Sequence, residues 1–273
     1  CTVEELGKTA PEHGWFQLYA ARDNNVSEDM IRRAEAVGLS TLVVTVDVPV
    51  HSNRERNTRN GFTRPLKMSL ETRLDALSHP SWMMGYLRQG MPMIKNWLPY
   101  AEEGATADDV ANLVTAQVTA PLTWDHIARY RDIWPRNLVI KGIMHLDDAV
   151  KAAEVGVDGI VVSNHGARQL DRSPASLEVL PGIVAAVGDR LTVMLDSGVQ
   201  RGSDIVTALC LGAKFVFTGR ATLYGLTAGG KPGAAKAIGI LNNEIDLVMA
   251  QMGAAKIAAL GEEFIYKPLP RNY

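Results

Sequence analysis

The sequence predicts an α/β protein and, within that class, a (β/α)8 or TIM barrel, on three observations. Short apolar runs rich in β-branched residues alternate with amphipathic helical patterns, which indicates a parallel sheet with helical crossovers. These runs end in polar or charged residues, as barrel strands do at the end that carries the site. The chain has 273 residues, 47% of them hydrophobic, which is enough for one large domain with a buried core.

Six strands and the helices between them follow from these patterns. The predicted strands cover residues 15–19, 41–46, 137–141, 159–163, 191–196 and 215–218. The first predicted helix is capped by Thr2, with Glu5 completing a capping box. Further helices are predicted over residues 27–37, 123–134, 146–155, 174–187 and 203–211, and more than one over about 221–252. Gly38, Gly156 and Gly212 mark helix ends, because glycine adopts the left-handed conformation easily.

The domain prediction treats residues 1–273 as one partial barrel. A barrel has eight strands, so we expect the first two to precede Cys1 in a longer protein, which agrees with the absence of a starting methionine. Six strands alone would leave unpaired backbone groups at a sheet edge. We assign residues 63–122 to an insertion between the strand that ends near Thr45 and the strand that ends at Lys141.

Composition excludes several classes of protein. A net charge of −2 gives no reason to expect a nucleic-acid partner. The two cysteines, Cys1 and Cys210, imply no disulfide framework, which suits a reducing cytoplasm. No uncharged apolar run is long enough to predict a membrane-spanning helix.

The richest stretch for chemistry is residues 160–171. Its apolar run ends at Ser163, and His165 and Arg168 follow closely. A neutral imidazole can accept a proton near pH 7, so His165 is the candidate base. A guanidinium can grip a carboxylate with two parallel hydrogen bonds, which Arg168 could supply. The alternative is a buried strand followed by a polar surface loop, and the number of functional groups here favours a site.

Other polar groups stand at or just beyond the ends of the predicted strands, where a barrel would bring them to one mouth. They are Gln17, Tyr19, Thr45, Asp47, Arg54, Lys141, Asp196, Gly198, Arg201, Gly219 and Arg220. Singly, most could be ordinary solvated strand ends, and Asp47 before Pro49 could be a turn residue. Residues 195–202 and 218–221 are glycine-bearing turns with arginines, typical of phosphate binding. A non-redox isomerase or lyase barrel would share these turns, and a barrel part serving only in assembly is a third reading.

The stretch Ser-Asn-His-Gly-Ala-Arg-Gln-Leu-Asp at 163–171 resembles the signature of the FMN-dependent α-hydroxy-acid oxidase and dehydrogenase family. That family includes glycolate oxidase, lactate oxidases and mandelate dehydrogenase. The resemblance implies a TIM barrel that binds FMN, needs no metal and oxidises an (S)-2-hydroxy acid to the 2-keto acid. Residues 79–82 and 90–92 are similar to mandelate dehydrogenase and to the membrane-associated bacterial lactate dehydrogenases. Residues 219–226 look closest to mandelate dehydrogenase, so mandelate is the first expectation. An L-lactate dehydrogenase and an oxygen-using oxidase remain the alternatives.

The resemblance also implies roles for individual residues. His165 would be the base, Asp47 its orienter and Tyr19 the partner of the substrate hydroxyl, while Arg54 and Arg168 would bind the substrate carboxylate. Lys141 would face the flavin N1–C2=O edge, where its charge stabilises the anionic reduced flavin. The cofactor residues would be Gln17, Thr45, Lys141, Ser163, Asp196, Gly198, Gln200, Arg201, Gly219 and Arg220. Two positions depart from the family pattern, Gln200 and Gly61, where arginine is usual.

The predicted insertion contains an unusual apolar segment, residues 66–98, with two tryptophans, five methionines and a local excess of positive charge. Such a segment could lie at a membrane interface, line an adaptable protein contact or pack on the barrel as a lid. The resemblance implies a membrane-binding insertion. It therefore predicts a cytoplasmic enzyme, peripheral at the inner face of the cell membrane, that passes electrons to a membrane acceptor and forms a homotetramer.

Overall fold

The structure, a computed structural model, describes residues 1–10, 12–61, 69–118 and 120–266. The chain divides into two compact units, one of Cys1–Leu42 with Val48–Arg136 and one of Val43–Asp47 with Asn137–Tyr273. The start of the predicted insertion, residues 63–68, lies outside the described residues. No helix in the described part of the chain has the length and apolar character needed to cross a membrane.

The first unit is mainly helical. Its elements are α1 (Val3–Thr9), β1 (Trp15–Tyr19), α2 (Asn24–Ala36), the beginning of β2 (Thr41–Thr45), α3 (Glu55–Arg59), α4 (Leu70–Ser78), α5 (Pro80–Gln89), a 3-10 helix (Lys95–Tyr100), α6 (Ala107–Gln117) and α7 (Trp124–Ile133). The predicted capping box of α1 is present, and β1 has the predicted bounds. Helix α2 begins three residues before its predicted start because the side chain of Asp23 accepts a hydrogen bond from the N–H of Asn25.

An ionic cluster joins the 3-10 helix to α1 and α2. The guanidinium of Arg33 donates to Glu4 at 2.8 Å and to the Tyr100 hydroxyl at 3.1 Å, and that hydroxyl donates to Asp29. The hydrogen bond from Arg33 lowers the pKa of Glu4 to about 2. Burial and the bond to Asp29 raise the pKa of Tyr100 to about 12. The 3-10 helix within the predicted insertion is therefore held to α1 and α2 by charge-assisted bonds.

Helices α4 and α5, like the short α3, contain no buried residue. Their large apolar side chains are exposed instead, and so are two that follow them. These residues are Leu70, Leu74, Leu77, Trp82, Met84, Tyr86, Leu87, Met91 and Leu98. The segment 69–98 therefore presents an apolar surface of a kind that soluble monomers seldom expose.

The second unit holds the parallel sheet. It contains the end of β2, then β3 (Asn137–Ile143), α8 (Leu146–Val155), β4 (Gly159–Val162), α9 (Ser176–Val187), β5 (Thr192–Leu195), α10 (Gly202–Cys210), β6 (Phe215–Val216) and α11 (Arg220–Met252). The strands lie in chain order from β2 to β6, and β3 to β6 pair in parallel. Val43, Val139, Val161 and Met194 form a buried cluster on one side of the sheet. The predicted α/β architecture with a parallel sheet and helical crossovers is confirmed.

Several predicted boundaries were wrong by one or two residues. The strands predicted to end at Ser163, Asp196 and Thr218 end at Val162, Leu195 and Val216. Helix α10 begins at Gly202, because the side chain of Asp204 reaches back to accept from the N–H groups of Gln200 and Arg201. The closing helix α11 bends at Gly229 and Gly230, whose backbone angles are not helical.

Candidate active site

The loop after β4 has a strained backbone. Three consecutive residues, His165, Gly166 and Ala167, have φ values of +58°, +69° and +57° and form a left-handed turn. Residues other than glycine occupy this region at an energy of about 1–2 kcal/mol each. Such strain persists only where neighbouring contacts hold it, and it concentrates at functional sites. The left-handed turn therefore marks the loop that carries His165 as a candidate functional loop.

The imidazole of His165 is paired with a carboxylate. Its Nδ1 lies 3.1 Å from Oδ1 and 3.2 Å from Oδ2 of Asp47, and the two side chains are only 15% and 13% exposed. An ionised carboxylate can only accept, so Nδ1 carries the hydrogen and the lone pair of the neutral ring lies on Nε2. Asp47 follows β2 and His165 follows β4, on either side of β3. This contact is the one that the orienter role of Asp47 requires.

Gly142 makes the position of Asp47 possible, and the sequence analysis missed it. It has a φ of +109° and stands at an irregularity of β3 between Lys141 and Ile143. A Cβ at this position would lie 2.7 Å from the Cβ of Asp47 and 2.8 Å from its Cγ. Glycine is therefore required here both by its conformation and by the closeness of Asp47. In the sequence, the signal for this role was a glycine directly after the lysine that was predicted to end the strand.

Four side chains form a closed ring beside this pair. The ammonium of Lys141 lies 3.1 Å from Asp196 and donates to the Ser163 hydroxyl at 2.9 Å. The hydroxyl of Ser197 donates to Asp196 at 2.8 Å and lies 3.5 Å from that of Ser163. Asp196 is therefore the ionic partner of Lys141 at this end of the sheet. The ring therefore joins residues that follow β4 and β5 to the end of β3.

Several donors of the turn after β5 already bind carboxylates of the protein. Glu244 accepts from the N–H of Gly202 at 2.8 Å and from the guanidinium of Arg201 at 2.9 Å. The hydrogen bond from the N–H of Gly202 is the main cause that lowers the pKa of the Glu244 carboxyl, and the bond from Arg201 is the second. The N–H groups of Gln200 and Arg201 are bound by Asp204. The part of this turn that remains open is Gly198, where an added Cβ would meet no atom within 4 Å.

The turn after β6 offers donors to which no carboxylate is bound among the described residues. Gly219 is the N-cap of α11, and an added Cβ there would also meet no atom within 4 Å. The first N–H groups of a helix have no partner inside it, and they attract anions. Arg220 stands in this first turn and donates weakly to the carbonyl of Gly166, at 3.4 Å. This turn is the stronger phosphate candidate of the two.

The remaining predicted site residues divide between the units. Thr45 is the buried last residue of β2, and Arg168 is exposed on the loop after His165. Gln17, Tyr19 and Arg54 belong to the first unit. Gln17 is exposed on β1, Tyr19 ends that strand, and Arg54 precedes α3 with its Nε bonded to the hydroxyl of Ser52 at 3.1 Å. The assignment of these five residues to the site, like that of the other predicted site residues, stays a prediction.

Comparison with known proteins decides the family. The profile of the family described as FMN-dependent dehydrogenase matches residues 1–267. The chain belongs to this family. Its cofactor is FMN, as the resemblance at residues 163–171 predicted.

Individual members of the FMN-dependent dehydrogenase family are similar to this chain over nearly its whole length. The (S)-mandelate dehydrogenase of Pseudomonas putida is 38% identical over 264 residues, 97% of this chain and 66% of that protein. A putative L-lactate dehydrogenase of Mycobacterium tuberculosis is 39% identical over 266 residues, again 97% of this chain and 63% of its own length. The chain thus spans about two thirds of the length of these relatives.

A solved member of the family has the same fold. The crystal structure of the monotopic membrane protein (S)-mandelate dehydrogenase matches with a TM-score of 0.91 and 38% identity, over 96% of this chain and 69% of that one. This likeness supports the barrel architecture that the alternation of strands and helices predicted.

The donor set of the second unit fits FMN. The phosphate of FMN needs N–H groups and a cation, which the open turn at Gly198 and the start of α11 with Arg220 could supply. The ring carbonyl at C2 needs a cationic donor, and the ammonium of Lys141 is the half-buried candidate. Ser163 and Asp196 would hold that ammonium in place.

Proposed function

We propose that the protein containing this chain oxidises an (S)-2-hydroxy acid to the corresponding 2-keto acid, with FMN as the electron acceptor. The observation that carries the proposal is the pair of His165 and Asp47 beside the ring that includes Lys141. A base with a fixed tautomer next to a cationic flavin-binding group is what removal of two electrons and a proton requires. The relatives named as mandelate and lactate dehydrogenases support the same class of substrate.

In this proposal His165 holds the proton that leaves the substrate. Oxidation breaks one C–H and one O–H bond, forms the C=O bond, and releases two electrons and two protons. FMN, when bound, supplies the acceptor for the two electrons and for one of the two protons. The lone pair on Nε2 of His165 accepts the other proton, and Asp47 stabilises the imidazolium that results. Burial of both side chains strengthens this attraction, because the surroundings screen it less than water does.

The substrate carboxylate is proposed to bind Arg168, with Arg54 as the second arginine. Arg168 stands three residues after His165 and is exposed, so its guanidinium can turn towards a ligand held at the base. Tyr19 is proposed to bond the substrate hydroxyl, as the resemblance implies. Gln17 and Thr45 are proposed to bond the flavin ring, and Arg201 and Gln200 to lie near the phosphate.

Mandelate is the first substrate that we propose. The 38% identity to an (S)-mandelate dehydrogenase, together with the TM-score of 0.91, supports it. L-lactate is the second candidate, supported by 39% identity to a putative L-lactate dehydrogenase. The full-length holoenzyme should be mixed anaerobically with each acid, and the rate of flavin bleaching compared. Oxygen consumption with the better acid then separates an oxidase from a dehydrogenase.

The spectrum of the holoenzyme tests the whole proposal. A yellow protein that is bleached by an (S)-2-hydroxy acid supports it. A yellow protein that no 2-hydroxy acid bleaches, or a colourless protein, contradicts it and favours a barrel without this redox role. The (R)-acid is the matched control, because it presents the same carboxylate with the hydrogen and the hydroxyl exchanged.

The exposed helices support a second proposal, that the enzyme binds a membrane surface through the segment 69–98. Helices α4 and α5 bury none of their residues, and their leucines, tryptophan and methionine face outward. A similar structure is that of a monotopic membrane protein. An enzyme held at the inner face of the cell membrane could deliver its electrons to a membrane acceptor. The insertion bounds 63–122 and the homotetramer also remain predictions.

A further inference from the structure

The backbone of His165 is held from both sides by serine hydroxyls. The N–H of His165 donates to the hydroxyl of Ser163 at 3.2 Å, and the N–H of Gly166 donates to the hydroxyl of Ser197 at 2.9 Å. These two amides flank the Cα of His165, so the two bonds fix the orientation of both peptide groups around it. Ser163 has a predicted role at the flavin, whereas the roles predicted from the sequence include none for Ser197.

Ser197 is itself held in a costly conformation. Its φ is +79°, a value that residues other than glycine seldom adopt. The neighbouring Gly198 has a φ of +75° at no such cost. The hydroxyl of Ser197 donates to Asp196 at 2.8 Å, and Asp196 is paired with Lys141 at 3.1 Å. Because a hydroxyl donates only once, the bond to Asp196 leaves the Ser197 oxygen as the acceptor for Gly166.

We propose that Ser197 is a positioning residue for the proton transfer, because its hydroxyl fastens the left-handed turn of His165 to the Asp196–Lys141 pair. Its hydroxyl would act by holding the imidazole of His165 against Asp47. This inference rests on the proposed function, since it concerns the same base.

The test uses the full-length holoenzyme with two substitutions that separate the hydroxyl from the backbone. Ser197→Ala removes the hydroxyl and keeps the unfavourable φ, whereas Ser197→Gly removes both. Ser203→Ala is the matched control, since Ser203 is exposed in the first turn of α10. Anaerobic stopped-flow measurement of flavin reduction by (S)-mandelate and L-lactate gives the limiting rate and the substrate concentration at half that rate. The NMR signals of the His165 ring report its environment independently.

We expect both Ser197 variants to keep FMN and to lose about tenfold or more in limiting rate, with the half-saturating concentration nearly unchanged. Ser203→Ala should behave as wild type. The proposal is overturned if Ser197→Gly reduces its flavin at the wild-type rate, or if either variant loses its FMN, since Ser197 would then serve the backbone or the cofactor. If wild-type flavin is not reduced by any 2-hydroxy acid, the proposed function fails. The inference about Ser197 is then decided by whether the His165 ring signals shift in Ser197→Ala and not in Ser203→Ala.

Discussion

Gly142 and Asp47 approach each other so closely that a Cβ on the glycine would lie 2.7 Å from the Cβ of the aspartate. Real Cβ atoms do not come this close, so any side chain at residue 142 must displace Asp47 or bend β3. The carboxylate of Asp47 is the partner of His165. The irregularity in β3 therefore sets the position of the Asp47 carboxylate, which follows the neighbouring β2, and with it the orientation of the proposed base.

Gly142→Ala should reduce flavin reduction by roughly 10- to 100-fold, because a displaced orienter weakens general-base catalysis. The matched control is Gly156→Ala. Gly156 has a similarly positive φ of +82° at the end of α8, and its added Cβ would meet no atom within 4 Å. Both variants should lose about 1 kcal/mol of stability from the positive φ, and Gly142→Ala should lose more because its Cβ meets Asp47. Equal reduction rates in the two variants, measured anaerobically by stopped flow, would contradict the role given to Gly142.

His165→Ala should retain bound FMN and lose flavin reduction by about 10²- to 10⁴-fold, the usual contribution of a positioned base. The residues proposed to hold the phosphate are unchanged by it, so the visible spectrum should stay that of a flavoprotein. Asp47→Asn should also slow flavin reduction, since an amide cannot stabilise the imidazolium that forms. Rapid bleaching of His165→Ala by mandelate or lactate would remove this residue from the mechanism.

Arg168→Met should weaken substrate binding and slow flavin reduction together, because a substrate carboxylate would lose a two-pronged cationic partner. Arg172→Met is the matched control, since Arg172 is an exposed arginine on the same loop. Stopped-flow reduction over a range of substrate concentrations separates affinity from rate. Wild-type values for both in Arg168→Met would mean that this side chain belongs to the solvated surface.

The sequence predicted the strands well and the helices of the insertion hardly at all, and the reason is burial. Strand β4 is buried at every residue, so its apolar run stands out in the sequence. Helices α4 and α5 bury none of their residues, and they are short, with nine and ten residues. Leu70, Leu74 and Leu77 have helical spacing, but so short a stretch does not predict a helix from its period alone.

At the site, the residues with distinctive chemistry were predictable and the small ones were not. His165 and Asp47 each follow a strand and Lys141 lies near the end of β3, and parallel strands in chain order bring their ends together. Gly142 is important because it lies so close to Asp47, and both Gly142 and Ser197 have positive φ values. Those properties depend on neighbouring strands, and a single glycine or serine in the sequence does not reveal them.

The ionic cluster of the first unit should make part of the stability depend on acid. The pKa of Glu4 is lowered to about 2 from an ordinary 4.5, so its contribution is fully present above pH 4.5 and is lost as the pH falls towards 2. Glu4→Gln should lower stability at pH 7 by at most about 1 kcal/mol, because its side chain is partly exposed to screening solvent. Thermal melts from pH 2 to 7 check this, with Glu103→Gln, at an exposed glutamate, as control. Parallel loss in both variants would count against the Arg33–Glu4 pair.

The exposed apolar helices give the last prediction. Replacing Leu70, Leu74, Leu77 and Leu87 together by glutamine should leave the fold intact, because all four side chains are already more than half exposed. The change should nevertheless abolish binding to anionic lipid vesicles, since a leucine that moves from water into an apolar phase gains about 1.5–3 kcal/mol. Ile257→Gln is the control, because Ile257 is 57% exposed in the second unit and lies outside this segment.

Vesicle co-sedimentation at low and high salt should be run beside anaerobic flavin reduction. Loss of vesicle binding with full reduction activity supports a membrane contact, whereas unchanged binding refutes it. Loss of activity in the quadruple variant alone would show that the segment covers the active site as a lid.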